Sequence, residues 1–401
     1  MSGGRVLFGQ AQRISEVARA RIRKGVGQPG DVLFSHKGTV GKLALVPLDA
    51  PLFVCSPQTT FWRALDDHRI DRRFLYYFMS SRAFVDQWQA RKGETDMADY
   101  VSLTAQRDLL VAIPPIERQR AVGRILGALD DRIELNREMN RMLEAMAQAL
   151  FKSWFVDFDP VIAKAAGRQP FGMDAETVAL LPNRFVDSEM GQIPEGWRVS
   201  TIGEETRVVG GSTPSTDEPR FWEGGRFNWT TPKDLSNLAT PILLDSDRHI
   251  TEAGLKQISS VLLPRGTVLL SSRAPIGYTA IAWAPTAINQ GFIAMVCDRT
   301  LGTQYVFHWV RESLEEILAR AGGTTFAEIS KASFRPIPVL VPPPGLVEKF
   351  EVVVGGLFER VAGNVQENNT LAAIRDYILP RLLSGEIRVK DAEDAAAGAL
   401  A

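Results

Sequence analysis

Two short stretches of the sequence place a serine and a basic residue directly after an apolar run. Ser35 and Lys37 follow one such run, and Ser272 and Arg273 follow another. Side chains of Ser, Thr, Asn, Gln, Lys and Arg contact phosphates and read base edges in nucleic acids. Because the basic residue keeps its place in both stretches, Lys37 and Arg273 are the leading candidates for a DNA contact. The predicted DNA-binding residues are Ser35, Lys37, Gln58, Lys92, Thr213, Thr230, Lys233, Ser272, Arg273, Gln290, Thr324 and Thr325.

Most of these polar residues lie on stretches rich in glycine, where the ordinary interpretation is a solvated turn. Trp222, Phe227 and Trp229 lie among them and could either stack on bases or pack in a core. Both interpretations stay open at the level of the sequence.

The sequence contains no recognisable catalytic or metal-binding motif. Its histidines have no metal-ligand spacing, and neither HExxH nor CxxC occurs. Residues 38–42 approach a phosphate-binding loop, but that motif requires Gly and Ser or Thr where His36 and Leu43 stand. The sequence therefore predicts a binding protein without catalytic residues, metal ligands or a cofactor of its own. An enzyme of unfamiliar type is kept as an alternative.

The elements that carry the polar residues occur twice. Residues 99–102 and 109–115 reappear as residues 327–330 and 337–343, at an offset of 228 that then continues without a gap. Asn136, for example, recurs as Asn364. Such a duplication predicts two similar modules that bind two similar targets.

In each copy a strand-like run, 109–113 or 337–341, leads into a long helical pattern. Apolar residues there recur at spacings of three and four, and the first pattern extends from about Glu117 to Leu150. Because an isolated helix needs a partner for its apolar face, we expect the two helices to pack on each other. The asparagines near the stripe either fix the register of the pair or lie on its solvated edge. The predicted seam and partner-contact residues are Leu129, Ile133, Asn136, Asn140, Leu143, Leu357, Val361, Asn364, Asn368 and Leu371.

The composition is that of an ordinary globular protein. Of 401 residues, 45% are hydrophobic and 23% are charged, and the net charge of −1 argues against a generic polyanion binder. A cluster of basic residues in the first 24 positions still allows local contacts with nucleic acid. The two cysteines and the lack of an apolar leader or membrane-spanning run predict a cytoplasmic protein.

The chain divides into six predicted segments of the α+β class. Pro, Gly and Ala enrichment predicts the linker, and an Ala-rich composition predicts a disordered tail. The segments are a first module at 1–115, a first long helix at 116–158, a linker at 159–196, a second module at 197–343, a second long helix at 344–386 and a tail at 387–401.

Several motifs follow one another in order along nearly the whole chain. They are PPIERQ at 114–119, ALFKSWFVDFDP at 149–160, FGMD at 171–174, MGQIPEGW at 190–197, GGSTPS at 210–215 and LLSGEI at 382–387. With these motifs the chain resembles the specificity subunit of type I restriction-modification systems.

The resemblance implies both a fold and a function. It implies two repeated α+β target-recognition domains, each reading one half of a split, asymmetric DNA site, separated by two long antiparallel helices that form a coiled-coil spacer. It further implies that the helices dock two methyltransferase subunits and that the assembly recruits a restriction and translocation subunit. S-adenosylmethionine, ATP and Mg would belong to those partners. The alternatives are an adaptor that does not bind DNA and a truncated, inactive remnant of such a subunit.

The first module is shorter than the second at its N-terminal end. In the second module more residues precede Pro264 than precede the matching Pro29 in the first, and the first copy has no counterpart of residues 211–214. We therefore expect a truncated first domain, through either a start codon further upstream or a truncated gene.

Overall fold

The chain divides into two compact units. Unit 1 comprises Met1–Leu135 and Glu367–Ala401, and unit 2 comprises Asn136–Gln366. The computed structural model describes residues 1, 3–94, 99–323 and 327–400. No helix within these ranges is long and apolar enough to span a membrane.

Unit 1 contains the strands β1 (Val26–Gly27), β2 (Val32–Ser35), β3 (Leu43–Leu45), β4 (Phe53–Val54), β5 (Thr59–Trp62), β6 (Gly93–Glu94) and β7 (Asp99–Tyr100). It has a three-stranded antiparallel sheet of order β3-β2-β5 and the two-stranded pairs β1–β4 and β6–β7. Its helices are a 3-10 turn at Phe8–Gln10, then α1 (Glu16–Arg21), α2 (Arg72–Ser80), α3 (Arg82–Gln89), α4 (Leu103–Arg107) and the long α5 (Ile116–Phe155), which continues into unit 2.

The central strand of the first sheet, β2, is an apolar run that is buried along its whole length. It pairs with β3 on one side and β5 on the other. Asp71 begins α2 by accepting a hydrogen bond from the Phe74 amide at 2.9 Å. The ring of Phe34 in β2 then packs edge-on against Phe84 of α3. The core of unit 1 therefore lies between this sheet and its helices.

Among the described residues, unit 2 contains more strands than unit 1. Its strands are β8 (Phe185–Ser188), β9 (Gly191–Pro194), β10 (Arg198–Thr201), β11 (Arg207–Gly210), β12 (Phe227–Thr230), β13 (Ile242–Leu243), β14 (Arg248–Ile250), β15 (Val268–Ser271), β16 (Thr279–Ala282), β17 (Thr286–Ile288), β18 (Phe292–Val296) and β19 (Pro338–Val341). Its short helices are α6 (Asp159–Ala165), α7 (Ala175–Ala179), α8 (Ile202–Glu205), a 3-10 turn at Pro219–Phe221, α9 (Pro232–Ser236), α10 (Glu252–Leu255), α11 (Thr303–Glu312), α12 (Leu314–Ala319) and α13 (Lys331–Phe334).

The strands of unit 2 form one larger sheet and several smaller ones. The larger sheet has the order β11-β18-β15-β16-β13 and is antiparallel except between β13 and β16. A three-stranded sheet has the order β14-β12-β17, and β8–β9 and β10–β19 form two-stranded pairs. The continuous apolar runs of β15 and β18 are buried on both faces, as such runs predict. The chain ends with the long helix α14 (Pro344–Ser384) and with α15 (Val389–Leu400).

Within unit 1 the two long helices run antiparallel. Arg375 donates from Nη1 to Asp130 at 2.7 Å, and Arg118 donates from Nη2 to the carbonyl oxygen of Leu382 at 2.9 Å. An earlier residue of α5 therefore contacts a later residue of α14. The predicted seam residues of this unit are Leu129, Ile133 and Leu371, which are buried, and Asn368, which is partly exposed.

Within unit 2 the same two helices again run antiparallel. Asn364 donates from Nδ2 to Oδ1 of Asn140 at 2.7 Å, and the rings of Phe151 and Phe350 are 5.9 Å apart. The remaining predicted seam residues are Asn136 and Val361, which are buried, and Leu143 and Leu357, which are partly buried. The prediction of an α+β fold with two long antiparallel helices is confirmed.

The buried asparagine pair offers a test of its own role. We expect Asn140→Leu alone to lower the free energy of unfolding by about 1–3 kcal/mol, because the Asn364 amide then loses its buried partner. The double variant Asn140→Leu with Asn364→Leu should recover most of this loss, because no unpaired amide remains in the seam. Urea unfolding of the variants and the natural chain measures both effects. Equal losses in the single and double variants would contradict a pairwise interaction.

The prediction of a disordered tail at 387–401 is wrong for the residues described. Val389–Leu400 forms α15, and Ala392 and Ala396 are buried in the core of unit 1. The tail looks polar and simple in sequence because small alanines provide its apolar face. They allow close packing that composition does not reveal.

Two further segments differ from the predictions. The predicted linker 159–196 is structured as α6, α7 and the β8–β9 hairpin, and its Val161 and Ile193 are buried in the core of unit 2. The run 109–113 forms no strand, whereas its copy β19 does, because β19 pairs with β10. No strand in the described part of unit 1 pairs with 109–113 in that way.

Candidate nucleic-acid interface

Ser35 ends β2 and Ser271 ends β15, and each serine holds the turn that follows its strand. In both copies the serine hydroxyl donates a hydrogen bond to the carbonyl oxygen four residues later and accepts one from the backbone amide seven residues later. These distances are 2.7 and 2.7 Å at Ser35, and 2.8 and 2.8 Å at Ser271. The two turns are therefore held by the same pair of bonds.

The residue after each serine is fixed through its backbone. The amides of His36 and Ser272 donate to a neighbouring loop at 2.9 and 2.8 Å. Their carbonyl oxygens accept from the amides of Val101 and Ile329 at 2.8 and 3.0 Å. The internal repeat of the sequence is thus repeated in the hydrogen bonds of the structure.

Lys37 and Arg273 come next and occupy equivalent places. Lys37 forms a β-bridge with Tyr100, and Arg273 forms one with Glu328. Lys37 is exposed, while Arg273 is partly exposed and has an ion pair with Glu328 at 3.7 Å. An exposed pair of this length contributes little to stability, so the guanidinium is available to an anionic ligand.

Unit 1 brings three of the predicted DNA-binding residues to one group of loops. Gln58 is exposed, and its carbonyl oxygen accepts from the amide of His36, which precedes Lys37. Lys92 forms an ion pair with Asp99 at 2.8 Å. Asp99 in turn accepts through its carbonyl oxygen a hydrogen bond from the loop after Lys37. Lys37, Gln58 and Lys92 therefore border the same surface.

A second group of polar side chains lies in unit 2. Thr213 donates from Oγ1 to Oε1 of Gln290 at 2.7 Å, and both residues are exposed. The preceding Gly211 lies against the backbone of Ile288, where a Cβ atom would overlap the carbonyl oxygen. The loop therefore requires glycine at this position to place Thr213 beside Gln290.

Two tryptophans donate hydrogen bonds to the backbone of this loop. Trp222 donates from Nε1 to the carbonyl oxygen of Ser215 at 2.9 Å, and Trp229 donates to that of Ser212 at 3.3 Å. Their rings meet edge to face at 4.9 Å. The guanidinium of Arg248 lies 3.6 Å from the ring centre of Trp222. The tryptophans thus pack against the loop, as one of the two sequence interpretations held.

Arg248 is a surface residue of this site that the sequence did not indicate. It lies in β14, directly opposite Trp229 in β12. Arg248 is placed at this site by the pairing of β14 with β12, and the spacing of residues along the sequence does not reveal that pairing. The exposed Lys233 lies on α9, in the turn that follows β12.

Three of the predicted DNA-binding side chains are buried, and the structure contradicts these predictions. Thr230 is 0% exposed, and its hydroxyl is hydrogen-bonded to that of Thr286 at 2.7 Å. Ser272 is 3% exposed, and Ser35 is 8% exposed with its hydroxyl bound inside the turn. Strand residues alternate between faces and turn serines bind their own backbone, so polarity alone did not predict exposure. Thr324 and Thr325 lie outside the described residues.

A cavity of about 500 Å³ lies elsewhere in unit 2. Its charged lining residues are Glu144 of α5 and Arg311 of α11, and its walls include Leu235 and Val310. Burial raises the pKa of Glu144 to about 7, although the positive charge of Arg311 opposes this. In the part of the chain that the structure describes, no group of three or more His, Cys, Asp or Glu residues could hold a metal ion.

Comparison with known proteins places this two-module architecture in a class. Residues 194–346 match the family of type I restriction modification DNA specificity domains. The chain is 34% identical over 192 residues to the type I restriction enzyme MjaIX specificity subunit of Methanocaldococcus jannaschii, covering 47% of this chain and 44% of that protein. It is 26% identical over 418 residues to the HindI specificity subunit of Haemophilus influenzae, covering 92% and 88%.

A solved structure shows the same fold. It is the S subunit of a type I restriction-modification system from M. genitalium, with a TM-score of 0.54, 17% identity, and coverage of 88% of this chain and 83% of that one. The long helices and the two modules are thus shared with that fold. Residues 194–346 therefore carry a type I restriction modification DNA specificity domain, and the chain is similar to type I specificity subunits over most of its length, as its ordered motifs predicted.

Proposed function

We propose that this chain reads a bipartite, asymmetric DNA site, with one half read by each module. The observation that carries the proposal is the repeated turn after β2 and β15. Each turn is held by the same hydrogen bonds and presents Lys37 or Arg273 at the same place. The polar residues around the two turns differ, which suits two different half-sites.

The paired helices α5 and α14 are proposed to set the spacing between the half-sites and to dock two methyltransferase subunits. Several apolar side chains of these helices are exposed, and exposed apolar surface is typical of protein-binding sites. The exposed side chains are Met142, Met146, Val352 and Val353. A restriction and translocation subunit is proposed to join this assembly.

Catalysis is proposed to belong to the partner subunits. On this view S-adenosylmethionine, ATP and Mg bind there, and this chain supplies sequence recognition without a cofactor. The basis is the sequence, which carries none of the common catalytic or metal-ligand motifs. A cytoplasmic location is proposed as well, since both Cys55 and Cys297 are free thiols.

The direct test is a map of modified bases in the host genome with and without this gene. We expect a bipartite modified motif that disappears when the gene is deleted and returns when it is restored. An unchanged map would contradict the proposal and favour the adaptor or inactive alternatives.

Arg273→Ala tests the leading contact of the second module. We expect weaker DNA binding by the assembled complex at every sequence, because a phosphate contact is lost, and a salt dependence reduced by about one counterion. Binding measured at several salt concentrations checks both effects. Lys37→Ala should act in the same way through the first module.

Arg265→Ala serves as a control for Arg273→Ala. The Arg265 guanidinium stacks on Trp283 and lies 2.5 Å from Glu359 of α14, a much closer pair than the 3.7 Å pair of Arg273 with Glu328. We expect this variant to bind DNA as the natural chain does. Equal affinities of the Arg273→Ala and natural complexes would overturn the assignment of Arg273.

A further inference from the structure

Arg248 is an exposed residue near the candidate interface of unit 2, and its guanidinium lies against two indole rings. Its Cζ lies 3.6 Å from the ring centre of Trp222 and 5.2 Å from that of Trp229. A cation this close to an indole face is held by electrostatic attraction and by contact over its whole plane. The guanidinium therefore has a defined orientation before any ligand binds.

The same two indoles position the loop that carries Thr213. Trp222 and Trp229 each donate from Nε1 to a carbonyl oxygen of that loop, at 2.9 and 3.3 Å. Thr213 in turn is hydrogen-bonded to Gln290. One aromatic pair thus fixes Arg248, Thr213 and Gln290 relative to each other.

The guanidinium N–H groups of Arg248 form no hydrogen bond with any described residue. No carboxylate in the described ranges forms an ion pair with it, although acidic residues are close in sequence. Asp245 is engaged by Nε2 of His249 at 2.8 Å. Arg220, which lies on the nearby 3-10 turn, is by contrast paired with Glu218. Arg248 therefore presents a planar set of free donors on an exposed surface.

We propose that Arg248 reads a guanine in the half-site of the second module, an inference that rests on the proposed function. A fixed, planar guanidinium matches the paired acceptors O6 and N7 of guanine, which lie side by side in the major groove. Stacking on Trp222 lowers the entropy lost when the side chain binds, which favours base reading over a mobile phosphate contact. Thr213 and Gln290 would contact neighbouring positions.

The test compares Arg248→Lys and Arg248→Ala with the natural chain in the host strain, by mapping modified sites genome-wide. Lysine keeps the positive charge but lacks the planar fork of donors. We expect both variants to lose preference for guanine at one position of one half-site by about 5- to 150-fold, the range of a bidentate contact. The other half-site should stay unchanged. Arg265→Ala, another arginine stacked on tryptophan, should keep the natural motif.

Other outcomes would overturn the inference. If both variants keep the natural motif, Arg248 does not read a base. If Arg248→Ala weakens modification at all sites and Arg248→Lys restores it, the residue contacts phosphate. If both variants lower the thermal midpoint and reduce modification at all sites without changing base preference, Arg248 only covers Trp222. A natural motif that does not depend on the gene would instead refute the proposed function itself.

Discussion

Leu129→Asp is expected to prevent stable folding of unit 1. Leu129 is 0% exposed and lies in the core where α5, α14 and α15 meet. An aspartate there would have to ionise without a partner, or stay protonated and still leave polar atoms unsatisfied. The expected loss exceeds about 4 kcal/mol, which approaches the total stability of an ordinary domain. Yield of folded chain and urea unfolding measure it.

Two control substitutions distinguish burial from a general effect of charge on the helices. Leu357 is the counterpart of Leu129 in the sequence repeat but is only partly buried in unit 2. Leu357→Asp should therefore destabilise the chain less than Leu129→Asp does. Met142 is 65% exposed, and Met142→Asp should leave stability nearly unchanged. A folded Leu129→Asp chain of natural stability would show that the seam of unit 1 is misassigned.

His308→Phe is expected to make the chain more resistant to acid. His308 is 1% exposed, its two ring nitrogens have no hydrogen-bond partner among the described residues, and its ring stacks on Phe151 at 5.6 Å. Burial, assisted by the charge of Arg311, lowers its pKa to about 3. The folded chain therefore holds this imidazole neutral, whereas the unfolded chain binds a proton below the ordinary pKa of about 6.5.

The direction of the pH effect follows from these two states. As the pH falls below about 6.5, the unfolded state gains a proton that the folded state does not, so stability falls by up to about 1.4 kcal/mol per pH unit until the pH nears 3. His308→Phe removes this loss. Between pH 7.5 and pH 5 its stability should rise relative to the natural chain by about 2 kcal/mol, as measured by urea unfolding at each pH.

Protonation of Glu144 changes the free energy of unfolding with pH in the direction opposite to that of His308, so the two effects must be separated by comparing variants. Because the pKa of Glu144 is raised to about 7, the folded state binds a proton more readily, and this contribution to stability is lost as the pH rises. The natural chain therefore shows only the sum of both effects near pH 5 to 6. Glu144→Gln should steepen the loss of stability on acidification in this range. Parallel stability curves for His308→Phe and the natural chain would refute the assignment.

Local patterns determined the parts of the structure that depend on residues close together in sequence. The spacing of apolar residues predicted both long helices, because a helix places every third or fourth residue on one face. Burial of Leu129 and Leu371 in the core of unit 1 follows from that spacing. The repeat predicted the equivalence of Lys37 and Arg273, since the same turn chemistry produces the same loop.

Exposure and long-range contacts were decided by the tertiary structure. Thr230 and Gln290 look equally suited to DNA in the sequence, yet one faces the hydroxyl of Thr286 inside the sheet and the other is exposed. Arg248 gained its place only because β14 pairs with β12, which sets it beside a tryptophan 19 positions earlier in the chain. The burial of Ala396 required a neighbouring helix to pack on.

The sequence alone thus determined the duplicated α+β modules, the two helices and the resemblance to type I specificity subunits, because these follow from periodicity and from ordered motifs. Only the tertiary structure decided which polar side chains face solvent and which become fixed by aromatic rings. The physical reason is that strand pairing and packing bring together residues whose spacing along the chain carries no trace of the contact.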